Sequence, residues 1–187
     1  MATHGQDLAE TGEQTDITRI LQASGTLYVL ETHDLPSVQV YRSGNVVECE
    51  IVILRFLSGA TLAADDQISV GLRLSIDEDD RYERTASIDI PEAEALLASF
   101  QIMSENGQEI LASPSVQDEF SWGAEIQYST KEQVKMAAFI NRNGELQFAV
   151  KVGSRADWAL LTRAAAERFA ANLEHAINFG RILQQGT

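Results

Sequence analysis

The sequence predicts an α+β fold, and three features carry that expectation. Two strictly alternating runs, Ile68-Val70-Leu72-Leu74-Ile76 and Tyr82-Arg84-Ala86-Ile88-Ile90, flank an acidic turn. Asn143-Gly144, a strong hairpin signal, lies between two further apolar runs. Each group of strands is followed by a stretch whose apolar residues recur at three- and four-residue steps. Antiparallel hairpins with one apolar face must cover it, and the two helices are the elements able to do so. The expected architecture is antiparallel sheet built from two strand groups, each followed by a helix packing on the sheet, ending in a long C-terminal amphipathic helix.

Residues 1–15 are polar and acidic with nothing to bury, and are expected to be a disordered tail. Residues 16–187 are expected to form one α+β domain whose pattern divides into two halves, 26–107 and 108–187. The likeness between Ser87–Phe100 and Ala149–Leu161 is one of pattern, not of identities. From Asp16, Ile17, Ile20 and Leu21 follow helical spacing, with Thr15 or Asp16 as cap and Ser24-Gly25 as stop. Thr26–Glu31 and Val38–Arg42 read as short strands around Pro36, and Ser43-Gly44-Asn45 turns the chain into the long strand Val46–Leu57. After the hairpin over 68–90, Pro91 opens a helix with Glu92 and Glu94 at its positive end. Ala93, Leu96, Leu97, Phe100 and Met103 trace its buried face, and Asn106-Gly107 is read as its end. Glu109–Ala112, Phe120–Tyr128, Val134–Asn141 and Glu145–Val152 are read as the second strand group. Ala156 to Phe179 is read as the final helix, with its stripe on Trp158, Leu161, Ala165, Phe169, Leu173 and Ile177.

Composition bounds the function. The 187 residues carry 14 Lys+Arg against 28 Asp+Glu, a net charge of −14, and 44% apolar residues suffice for a core. Cys49 is alone, which excludes a disulfide scaffold and suits a reducing compartment; a cytoplasmic location is the expectation. The first sixteen residues lack the basic and apolar run of a signal peptide. Ile51–Leu57, interrupted by Arg55, falls far short of the roughly 20 residues that cross a bilayer, so it reads as a strand and no membrane partner is expected.

Each candidate site has a plain structural reading. Asp77-Glu78-Asp79-Asp80 holds oxygens that could meet a hard cation, yet it lacks the ligand spacing of a calcium loop and reads as a solvated hairpin tip; Asp65-Asp66 reads likewise as loop. His4, His33 and His175 fall in a tail, a loop and a helix without metal-ligand spacing. Cys49 stands between Glu48 and Glu50, where negative charge disfavours a thiolate nucleophile. Gly123, Gly144 and Gly153 fit strands and turns, and no phosphate loop, dinucleotide fingerprint or nucleophile elbow occurs. No catalytic, cofactor-binding or metal-ligating residue is assigned, and no cofactor is expected.

Trp122, Tyr128, Phe139 and Phe148 could form a base-stacking platform, although aromatic residues on strands usually belong to the core. Only residues 151–187 are net positive, with Lys151, Arg155, Arg163, Arg168 and Arg181 against Asp157, Glu167 and Glu174. The strands-then-helix layout, taken twice, is loosely similar to the Whirly type of single-strand binder, a resemblance that implies single-stranded nucleic acid as the runner-up ligand. A small-molecule-binding or hydrolytic domain without a recognisable motif is the other alternative. In size and charge the chain is also similar to small acidic α+β chaperones for secreted effectors. The leading expectation is therefore a non-enzymatic interaction or regulatory module, chaperone-like in action, with a protein partner and no nucleic acid. A homodimer is expected, because Leu160, Ala164 and Ala171 stand off the main stripe of the final helix and sheet edges need pairing.

Overall fold

A computed structural model describes residues 15–22, 27–58, 61–62, 68–78, 82–113, 124–131, 134–153 and 157–185. Thr15 is fully buried, and its Oγ1 accepts the Thr18 N–H at 3.3 Å, which caps the short helix α1 (Asp16–Gln22). The first strand group follows as β1 (Tyr28–Asp34), β2 (Val38–Gln39), β3 (Val46–Ser58), β4 (Thr61–Leu62), β5 (Ile68–Glu78) and β6 (Tyr82–Asp89). These make an antiparallel sheet in the order β1-β3-β5-β6, with β2 and β4 also paired to β3. At 13 residues β3 is long enough to hold all these partners, which makes it the central strand.

Alternation along the strands gives this sheet two different faces. Val47, Cys49, Ile51 and Ile53 of β3 join Val70, Leu72, Leu74, Ile76, Ala86 and Ile88 in the main apolar cluster. Val52 and Leu54 point the other way and form a smaller cluster with Ile17 of α1. Close approach of α1 requires Gly71 beneath it: a Cβ there would overlap Ile17 Cδ1 and lie 2.5 Å from the Ile88 carbonyl oxygen.

The helix α2 (Ile90–Ala112) starts where Pro91 suggests, and the Glu92 carboxylate accepts the Asp89 N–H at 3.2 Å as half of a capping box. It does not end at Asn106-Gly107. Gly107 is buried inside the helix, where a Cβ would press on Leu146 at 3.3 Å, so its small size serves packing and not termination. Glu109–Ala112, expected as a strand, is the last turn of α2, anchored by the buried Leu111. The expected boundary between the halves thus falls within a helix.

The second sheet contains β7 (Glu125–Ser129), β8 (Val134–Ile140), β9 (Leu146–Val152) and β10 (Ala159–Leu161), antiparallel in the order β10-β9-β8-β7. The final helix, α3, runs Arg163–Gln185 and so begins later than its apolar periodicity suggests. Thr162 sets that start, its Oγ1 accepting the Ala165 N–H at 3.2 Å. Ala159–Leu161 pair instead with Phe148–Val150 of β9, so apolar residues read as one helical stripe belong to two elements.

The helices join the two halves. Besides packing on each other, α2 reaches β5, β6, β7 and β8, while α3 reaches β2, β5, β9 and β10. A single apolar cluster consequently runs from Val47 through Phe100 and Phe148 to Phe169. At the seam the Tyr41 N–H donates to the Leu160 carbonyl at 2.7 Å, so the chain leaving β2 covers the open edge of β10. Among the described residues no helix is long and apolar enough to cross a membrane.

Candidate interaction surface

In the second sheet Val134, Met136 and Ala138 of β8 and Phe148, Val150 and Val152 of β9 face the helices and the main cluster. The intervening residues face outward. They form three rows across the strands: Ser129-Lys135-Lys151, Gln127-Ala137-Ala149-Leu160, and Glu125-Phe139-Gln147. Ala137 and Ala149 are 1% and 2% exposed although neither belongs to an apolar cluster, so the middle of this face is closed to solvent. Both large described helices lie against the opposite face, and α1 packs on β5 and β6. The central row ends at Leu160, 36% exposed, beside the hydrogen-bonded Tyr41, 37% exposed with the Arg42 guanidinium 4.8 Å above its ring.

Local chemistry fixes this surface. The β8–β9 loop is Arg142-Asn143-Gly144: Asn141 N–H donates to the Glu145 carbonyl at 2.9 Å, Gly144 N–H donates back to the Asn141 carbonyl at 3.0 Å, and Gly144 takes φ 80°. The Asn141 side-chain oxygen accepts the Asn143 and Glu145 N–H groups at 2.8 and 3.0 Å. At the other end Glu92 accepts the Lys131 N–H at 2.8 Å, which ties the β7–β8 turn to the start of α2.

The expected site residues are scattered. Cys49 is 1% exposed, and burial pushes its thiol up to about 12, with a hydrogen bond to the Asn172 side chain opposing the shift and Glu48 adding to it. Such a thiol stays protonated and inert. His33 lies on β1, not in a loop, with its ring 5.6 Å from that of Phe179, and His175 is exposed on α3. His4, Asp65, Asp66, Asp79, Asp80, Trp122 and Gly123 lie outside the described residues, and Asp77 and Glu78 end β5. Among the described residues no group of three His, Cys, Asp or Glu could hold a metal ion.

Among the described residues, Tyr128, Phe139 and Phe148 do not share one face. Tyr128 and Phe148 face the main cluster, where Phe148 stacks at 5.3 Å on Phe100, whereas Phe139 points outward. Of the basic residues in the last segment, Arg163 pairs with Glu167 at 3.1 Å and Arg181 with Glu94 at 2.7 Å, both on exposed helix surface. Lys151 instead stands directly opposite Lys135, a juxtaposition that residue-by-residue reading missed and that hairpin register alone reveals.

Cavities are small. One cleft of about 240 Å³ lies by Val40, Ile76 and Trp158, and another of about 210 Å³ lies between α2 and α3 near Leu97 and Ile177. Both fall below the roughly 300–1,000 Å³ of usual small-molecule sites. The chain matches no protein-family model and no curated protein.

Proposed function

We propose that this chain is a non-enzymatic interaction or regulatory module that acts by protein–protein contact through the outward face of its second sheet. The supporting observation is the rim of that face, where the half-buried Lys135, Lys151 and Phe139 and the exposed Leu160 surround the buried Ala137 and Ala149. A protein surface of this kind can admit a partner's side chains without a cavity. The buried, protonated Cys49 and the small clefts offer less to a chemical mechanism. Cross-linking in the native cell extract followed by purification tests the reading. A discrete protein adduct is expected, lost in Leu160→Glu while the circular dichroism is retained. A stoichiometric nucleotide, metal or small molecule in place of a protein would contradict it.

Self-association belongs to the same reading, through a different surface. Among the described residues β1 pairs only with β3, and it exposes Val29 at 38% and Leu30 at 43%, preceded by Leu27 at 66%. A second copy pairing along β1 would close that edge in a two-fold dimer. Leu160, expected to contribute from the helix, sits on β10. Light scattering at micromolar concentration is expected to give twice 20.5 kDa, reverting to 20.5 kDa in Leu30→Lys; a single-chain mass at every concentration would remove the dimer.

A further inference from the structure

The cleft of about 240 Å³ lies where the two sheets meet, and its walls come from distant parts of the chain. Val40, Ser43 and Asn45 belong to the segment between β2 and β3, Ile76 to β5, and Asp157, Trp158 and Ala159 to the chain entering β10. Burial is graded across it: Ile76 and Ala159 are buried, Val40 and Trp158 half-buried, and Asp157 exposed. An apolar base beside an indole, with a carboxylate at the mouth, matches a side chain that has an apolar stem and a cationic head. Asp157 already has an interaction, and a carboxylate has about four acceptor sites, so it can receive a further donor. The Ser43 Oγ accepts the Asn45 N–H at 3.2 Å, which fixes the turn that brings Asn45 to the cleft. The neighbouring cations are placed elsewhere. Arg42 lies over the Tyr41 ring at 4.8 Å, and Arg84, opposite Ile76 on β6, has an interaction of its own and does not line the cleft.

We propose that this cleft takes an arginine side chain of a partner protein, with its methylenes on Val40, Ile76 and Ala159, its guanidinium against Trp158, and Asp157 and Asn45 accepting its hydrogen bonds. The inference rests on the interaction-module reading above and adds the chemistry of the partner's anchor. Position supports it: Val40 and Ala159 immediately precede Tyr41 and Leu160, which are joined by the 2.7 Å hydrogen bond at the end of the proposed contact face. Size supports it too. The cleft is smaller than the usual small-molecule site, whereas the anchors of protein interfaces are single side chains, arginine prominent among them, seated in pockets. Arginine fits better than lysine because its planar head can stack on an indole while it bonds a carboxylate. A net charge of −14 draws a cationic partner and repels the phosphates of a nucleic acid.

The test is an NMR titration of the full chain at low salt that follows the indole N–H of Trp158, a signal identified by its loss in Trp158→Phe. The ligand is the peptide Ser-Gly-Arg-Gly-Ser; parallel arms carry citrulline or Glu in place of Arg, or use methylguanidine alone. The arginine peptide is expected to shift the indole signal with an affinity on the order of millimolar, about tenfold more weakly in Asp157→Asn and progressively less as salt is added. The citrulline and Glu peptides are expected to leave it unmoved. Asp157 is exposed, so Asp157→Asn should keep the circular dichroism of the wild type. The proposal is overturned if the arginine peptide leaves the signal unmoved, if the citrulline peptide shifts it equally, or if Asp157→Asn binds undiminished. Tighter binding of methylguanidine than of the peptide would overturn it in favour of a small cation. If the native partner cross-links undiminished to Asp157→Asn but not to Leu160→Glu, the arginine anchor falls and the interaction module stands; if it cross-links equally to both, the module reading falls as well.

Discussion

Asn172, 4% exposed on α3, donates its Nδ2–H to the Pro36 carbonyl at 2.8 Å and so holds the bend between β1 and β2. The bend places Tyr41 against Leu160, which links a buried side chain in the last helix to the exposed end of the candidate surface. Asn172→Ala is expected to lower stability by about 1–2 kcal/mol in urea denaturation, because a shielded carbonyl loses its donor. Asn172→Asp should be worse at neutral pH, since a buried carboxylate cannot donate, and should recover towards the alanine variant as acid protonates it. Equal stability of wild type and Asn172→Ala would show that the bend is held by other contacts.

The same asparagine side chain meets the Cys49 thiol, whose pKa burial raises from 9.0 to about 12. Folding favours the protonated thiol, so this contribution to stability is complete below about pH 9 and falls as pH rises from there towards 12. Native protein at pH 8 should react with iodoacetamide only at the rate of its unfolding, and Cys49→Ser should leave partner binding unchanged. Rapid stoichiometric alkylation of the folded chain would contradict the buried, protonated state.

Gly71 and Ile17 are a coupled pair. Gly71→Ala places a methyl group into Ile17 Cδ1 and 2.5 Å from the Ile88 oxygen, and is expected to destabilise by about 1–3 kcal/mol. Ile17→Val removes Cδ1, so the double variant should cost less than the sum of the two single changes. Additive costs would mean that the backbone contact with Ile88 dominates.

Legibility in the sequence followed the range of the interactions. The hairpin of β5 and β6 was legible because Leu72, Leu74, Ala86 and Ile88 alternate against polar neighbours, and the Pro91 and Glu92 signals located the start of α2. Asn106-Gly107 misled because its role is set by Leu146, nearly forty positions away, on which Gly107 packs. Trp158 and Leu161 fit a helical stripe by spacing, but pairing with β9 and the Thr162 cap place Leu161 on a strand. The cross-strand pair of Lys135 and Lys151 was hidden by register. A two-residue Asn143-Gly144 turn would put Lys135 opposite Val152, whereas the loop from Arg142 to Gly144 shifts the pairing by one and sets it opposite Lys151. Since side chains alternate across a sheet, that single step decides what the open face presents.

Photocrosslinking from two positions tests the central claim most directly. Benzoylphenylalanine replaces Leu160, on the outward face of the second sheet, or Ile102, 54% exposed on α2. In the native cell extract position 160 is expected to yield a discrete protein adduct, while position 102 yields none. Adducts from 102 alone, or equal adducts from both positions, would contradict an account in which this sheet face makes the protein's contacts.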